Sequence, residues 1–205
     1  MARPREFDEA AALDAATLCF WARGYEATSI RNLTQSMGIT GASLYNAFGD
    51  KRSLYQRVLD RYVECGSLDW IKQLEAQLPP HQAIAAFFEE IIERSLDDPQ
   101  RKGCLLVNAA VEVAPHDLGF QQIVADVLIQ IEAFFCRCVA AGQRAGNISI
   151  VQTAEDLARL LLGLLLGIRV LARVRPERDL LQGMVRPAFA LLDCQFTAQE
   201  TPDHD

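Results

Sequence analysis

The chain has 205 residues, half of them apolar and 23% charged, with a formal net charge of -7; this excludes an extended disordered chain and suits a globular fold with a sizeable core. No basic, apolar leader opens it, and its longest apolar run, "LLLGLLLGI" over Leu160–Ile168, is about half of what a bilayer span needs, so a cytoplasmic protein with no membrane partner is expected. Its six cysteines (Cys19, Cys65, Cys104, Cys136, Cys138, Cys194) stand singly or as Cys-x-Cys, which suits neither a disulfide framework nor a zinc ribbon and predicts reduced thiols and no metal.

The charge is uneven. Residues 1–60 hold seven basic and seven acidic residues, so the whole acidic surplus lies beyond them, and Thr28–Arg57 carries Arg31, Lys51, Arg52 and Arg57 against Asp50 alone. Helical periodicity runs through the chain without convincing strand alternation, which predicts an all-α fold. Leu13, Ala16 and Phe20 at i, i+3 and i+7 mark a first helix that stops at Gly24. Thr28 offers an N-cap hydroxyl for a second, short helix with Ile30, Leu33 and Met37 on one face, broken at Gly38. Ile39 is the inward residue of the turn. Thr40 caps a third helix whose inward residues are Leu44 and Phe48, and Gly49-Asp50 ends it and caps a fourth, running through Leu54, Val58 and Tyr62 toward Leu74.

Further on, "RKGCLLVNAAVEVAPHD" (Arg101–Asp117) places Cys104, Asn108 and Glu112 four apart, one polar stripe on an otherwise apolar helix. Such groups suit a pocket that orients a small ligand, and equally suit buried groups satisfied by neighbours. Cys104 behind Lys102-Gly103 can also be read as a small buried residue or as a thiol open to electrophiles and oxidants. Leu157, Leu161, Leu164, Ile168 and Leu171, spaced 4, 3, 4, 3, form a helix seam with Gly163 and Gly167, and a last helix from Glu177 to Phe196 carries Leu181, Val185, Ala188 and Leu192, with Pro187 inside it. Both helices read either as core or as a subunit interface.

Two short helices joined by "MGIT" have helix-turn-helix spacing. In "ITGASLYNAFGDKRSL" the small residues Gly41, Ala42 and Ser43 let the second helix approach DNA closely, and Tyr45 and Asn46 reach phosphates or base edges. The segments starting at Thr40 and Asp50-Lys51 present helix N-termini to anions. A tight helical corner with a small surface would look the same.

The stretch "GYEATSIRNLTQSMGITGASLYNAFGDKRSLYQRVL", Gly24–Leu59, closely resembles the N-terminal DNA-binding domain of TetR-family transcriptional regulators, through Gly24, Tyr25, Thr28, Ser29, Ile30, Gly38, Ile39, Thr40, Leu44, Tyr45, Phe48, Lys51 and Leu54. Thr34 and Met37 depart from it, standing where the family usually has Ala. The resemblance implies a homodimeric repressor, or less often an activator, with a helix-turn-helix domain over 1–52 extending into a connecting helix to about 66, a ligand-binding and dimerisation domain over 53–197, and a disordered tail over 198–205. The expected partners are an inverted-repeat double-stranded operator and a small-molecule inducer. By position, Tyr45, Lys51, Thr28 and Thr40 would meet phosphates, Gly41, Ala42, Ser43 and Asn46 the bases, and Ser29 would belong to the same DNA-binding set. Cys104, Asn108 and Glu112 would face the ligand; Leu157, Leu161, Gly163, Leu164, Gly167, Ile168, Leu181 and Val185 would face the second subunit. No cofactor is implied. An enzyme using Cys104 with Glu112 would need a phosphate loop, a nucleophile elbow or a histidine at helical spacing from a cysteine, and none is present. An architectural DNA-binding protein would spread basic charge along the chain, against the acidic C-terminal part.

Overall fold

The computed structural model describes the backbone of residues 7–66 and 68–193 and their side chains, apart from those of 65, 66 and 68. The expected tail, Phe196, Cys194 and the Cys65 side chain lie outside these. The described residues are helical, without strands: α1 Glu9–Arg23, α2 Ile30–Met37, α3 Gly41–Phe48, α4 Lys51–Gly66, α5 Leu68–Gln77, α6 Pro80–Leu96, α7 Leu105–Glu112, α8 Leu118–Arg144, α9 Ala154–Val174 and α10 Arg178–Leu192.

The first four helices form the head. Asp8 caps α1 by accepting from the amides of Ala10 and Ala11, and Gly24 closes it at φ 87°, a backbone state that glycine enters without strain. Leu13, Ala16 and Phe20 face inward, as their spacing predicts, against Leu33, Met37, Leu44, Phe48, Leu54 and Val58. The cap of α2 is Ser29 rather than Thr28. Asn32, three residues after Ser29, returns a bond to the Ser29 amide while the Ser29 hydroxyl accepts from the Asn32 amide, a reciprocal cap for which Thr28 has no partner in register. Thr28 is instead fully buried, its hydroxyl donating to the Gly24 carbonyl at 2.6 Å. Gly38, at φ 66°, supplies the left-handed turn before Thr40, which caps α3 by accepting from the Ser43 amide.

Behind the head, α6, α8 and α9 make the body, with Phe87 and Phe88 of α6 interlocked with Phe134 and Phe135 of α8 at ring separations of 5.1 to 5.7 Å. The 27-residue α8 turns back through residues 145–153 into α9. Helix α9 carries two apolar stripes. Leu157, Leu161, Leu165, Ile168 and Ala172 are buried against the body, whereas Leu160, Val170 and Val174 are 43%, 50% and 68% exposed and lie in register with Gly163 and Gly167. Of the residues expected at a subunit interface, Leu157, Leu161, Ile168 and Leu181 therefore belong to the subunit's own core, each 2% exposed or less. Gly163 faces open space, Leu164 and Val185 are half-buried, and Gly167 packs beside Met184 of α10.

Candidate nucleic-acid interface and the cavity behind it

The outward face of α3 is the candidate reading surface. Leu44 and Phe48 pin the helix to the head, which leaves Ala42, Tyr45 and Asn46 exposed, Tyr45 at 53%. The Thr40 and Ser43 hydroxyls engage each other at 2.9 Å, and Gly41, whose Cβ position meets nothing within 4 Å, leaves room for close approach. Ser29 stays exposed, although its hydroxyl is bound to Asn32. Lys51 projects at the start of α4, its ammonium 4.3 Å from the centre of the Tyr25 ring and 3.4 Å from the Glu26 carbonyl. Thr28, being buried, is removed from this surface.

Two of the cations that made the window basic are committed elsewhere. Arg57 pairs with Glu9 and lies over the Phe48 ring. Arg52 grips Asp117 with two bonds, of 2.6 and 2.9 Å, and stacks 5.0 Å from Phe120. Arg52 thus joins the head to the body.

That junction has three further members. The Glu112 carboxylate accepts from the Tyr25 amide at 3.0 Å and the Glu26 amide at 2.9 Å, holding the backbone of the turn that leads into α2. Phe120 inserts its ring 6.1 Å from Tyr25 and 5.3 Å from Tyr55. The Trp21 indole donates to the Gly103 carbonyl at 3.0 Å. Asp117 both caps α8, accepting from the amides of Gly119 and Phe120, and pairs with Arg52, whose hydrogen bonds hold its carboxyl down to about 2. Because that value lies below the ordinary 3.8, the bond adds stability above about pH 4 and loses it as the pH falls toward 2. Asp117→Asn is therefore expected to lower the urea midpoint by a constant amount from pH 8 to about 5, with the gap to wild type closing below about pH 4; a gap that widens in acid would contradict this sign.

The stripe Cys104, Asn108 and Glu112 does not converge on one pocket. Cys104 lines an inner cavity of about 60 Å³ with Tyr62, Trp70, Val107, Leu128 and Arg169. Its sulfur accepts from the Tyr62 hydroxyl at 3.8 Å. Asn108 instead bridges the Lys102 carbonyl and Arg173, and Glu112 belongs to the junction. Neither lines this cavity or the groove beside it, because α7 starts only at Leu105 and turns its far end toward the head. Sequence spacing could not supply Glu112's partners, which lie more than eighty residues away. The sequence reading also missed Arg169 and the wider groove of about 660 Å³ that it lines with Arg94, Trp21 and Lys102. Burial pushes the Cys19 thiol up and the Cys138 thiol to about 12, so both are inert at neutral pH.

Residues 12–58 match the family model described as bacterial regulatory proteins of the tetR family, and residues 80–187 match the tetracyclin repressor-like C-terminal domain. The chain belongs to the TetR family. It is 32% identical over 195 residues to the HTH-type transcriptional regulator YezE of Bacillus subtilis, across 94% of this chain and all of that protein. It is 29% identical to the HTH-type transcriptional repressor ComR of Escherichia coli, across 82% of each chain. Its fold matches that of the TetR-family regulator CifR in complex with 26-bp double-strand operator DNA, with a TM-score of 0.80 and 30% identity over 92% of this chain and 98% of that one. The relatives are transcriptional regulators. No helix among the described residues is long and apolar enough to cross a membrane.

Proposed function

We propose that this TetR-family regulator is a cytoplasmic repressor that holds an inverted-repeat operator as a homodimer and lets go when a small molecule enters the cavity beside α7. The observation that carries the DNA reading is the outward face of α3, where Ala42, Tyr45 and Asn46 stand exposed on a helix otherwise locked into the head. A subunit with one such helix reads one major groove, so two heads roughly 34 to 36 Å apart are needed for successive grooves. Gly41, Ala42, Ser43 and Asn46 take the base edges, and Tyr45, Lys51, Ser29 and Thr40 the phosphates.

Release is a matter of α7. Its first turn walls the inner cavity and its last residue, Glu112, holds the head by two backbone amides, so one eight-residue helix touches both sites. A ligand that displaces α7 shifts the grip on the Tyr25–Glu26 turn, and a coupling of about 1 to 3 kcal/mol suffices to change operator affinity by roughly 5- to 150-fold. No nucleophile with an activating base stands in this space, and the relatives are regulators, which supports a binding role rather than an enzymatic one.

The test is operator binding to DNA flanking the chain's own gene, by fluorescence anisotropy across a salt series. Lys51→Ala is expected to weaken binding to all sequences alike and to lower the salt slope by about one, whereas Asn46→Ala changes the preference at one or two base pairs. An unchanged slope removes Lys51 from the contact set, and an unchanged preference for Asn46→Ala removes α3 as the reading helix.

A further inference from the structure

We propose that the effector is a small molecule with an apolar body and one carboxylate, the carboxylate seated on Arg169 where the open groove meets the inner cavity. This rests on the reading of that space as the effector site. The groove lies between the head helices α1 and α4 and the end of α6 with the 102–103 loop, and it shares Tyr62, Arg94 and Arg169 with the inner cavity. Most of the charges around it are neutralised in place. Arg61 pairs with Asp14, Lys102 with Asp98, and Arg94 with Glu90, whereas Asp97, also on the groove wall, has no ion pair among the described residues, Arg178 being held by Glu93.

Among the cations, Arg169 is the exception. It is half-buried on α9, its guanidinium makes one hydrogen bond, to the Ser95 hydroxyl at 3.2 Å, and no carboxylate among the described residues lies within salt-bridge distance of it. An arginine has five N–H donors in a planar fork matched to a carboxylate, and holding its charge partly out of water without a counter-ion is costly. An incoming carboxylate removes that cost and gains two charge-assisted bonds. The inner cavity wall contains no Asp or Glu, and of the groove's Asp14, Asp97 and Asp98 none lies within salt-bridge distance of the fork. Tyr62 adds a neutral donor: burial, then the adjacent thiol, push its phenol above the ordinary value, and its present bond to sulfur is long enough to be exchanged for an oxygen acceptor.

The remainder of the wall sets the body of the guest. Phe87, Val107, Leu128 and Leu165 offer only carbon, Trp70 adds an aromatic ring, and a volume of about 60 Å³ accepts a few carbon atoms before α7 must move. A neutral amide of the same shape would fill the same space and leave Arg169 without a counter-ion. The site therefore selects by charge.

The probes are hexanoate and benzoate, each against its own amide, titrated into the full-length protein at neutral pH. Trp21 and Trp70, the chain's two tryptophans, line the groove and the inner cavity and report occupancy by fluorescence. Each acid is expected to bind at least about tenfold more tightly than its amide, and Arg169→Gln to erase that ratio. Equal binding of acid and amide, or no binding of either acid at about 10 mM, overturns the assignment, and this wild-type comparison stands even if Arg169→Gln fails to fold. Val107→Phe, which fills the inner cavity, is expected to weaken both acids; unchanged binding there overturns the placement. Operator release is read separately. Acid binding without release leaves the carboxylate site standing and sinks the effector reading, whereas release by the amides as readily as by the acids does the reverse.

Discussion

Leucine at position 163 is expected to leave the folded subunit intact and to take the dimer apart. The Cβ of any residue placed there meets nothing within 4 Å inside the subunit, and replacing glycine within a helix stabilises the helix by up to about 1 kcal/mol. What the new side chain does meet is whatever covers the outward stripe of Leu160, Gly163, Gly167, Val170 and Val174, whose 3, 4, 3, 4 spacing is that of a helix seam and whose larger members stand in solvent in the single chain. Wedging that seam should yield monomers by light scattering with unimpaired thermal stability and a loss of specific operator affinity of at least about a hundredfold, since one head reaches one half-site. Leu157→Ala on the same helix is the contrasting variant. Being core, it should cost the subunit about 2 to 5 kcal/mol. A Gly163→Leu protein that remains dimeric and binds normally would place the interface on another face.

The second large effect belongs to Phe120. Its side chain is 1% exposed and fills the angle between Tyr25, Tyr55 and the Arg52 guanidinium, so it packs the head against the body from both sides. Phe120→Ala is expected to lower the unfolding free energy by about 3 to 5 kcal/mol in urea, and Phe120→Leu by clearly less because most of the volume is kept. Operator affinity should fall with the alanine, because the head loses its fixed seat on α8. A loss under about 1 kcal/mol would mean that the junction closes over the gap and that Arg52–Asp117 and Glu112 alone hold the head.

Much of this was legible in the sequence because it is local. Gly24, Gly38 and Gly49 end helices at positive φ, the hydroxyl before each short helix is close to its cap, and the inward residues of the head follow from 3.6-residue spacing. Thr28 and Ser29 show the limit of that reasoning. Two adjacent hydroxyls look alike until Asn32 at the third helical position is included, and that reciprocal pattern was present in the letters. On α9 the ambiguity is geometric. A helix apolar on two sides yields overlapping seams, and only the neighbours that bury Leu157, Leu161 and Ile168 separate core from outward face. The polar stripe of α7 was harder still. The spacing of Cys104, Asn108 and Glu112 was visible, but their partners lie on α4, α9 and two loops, and no periodicity records such contacts.

The Glu112 latch takes hold of main chain. Its two acceptors are filled by the amides of residues 25 and 26, which every amino acid except proline can provide, so the identity of the side chains there is not what the grip reads. The strict requirement falls on Gly24, where a Cβ would stand 2.9 Å from the carboxylate oxygen on a backbone already at φ 87°. Together with Arg52, which answers Asp117, and the Tyr25 and Tyr55 rings, which seat Phe120, this makes a coupling standard of a few residues. A head from another family member that supplies this glycine, this arginine and the two tyrosine rings would plug onto this body and bring its own operator preference with it, making the signal and the address separately exchangeable parts.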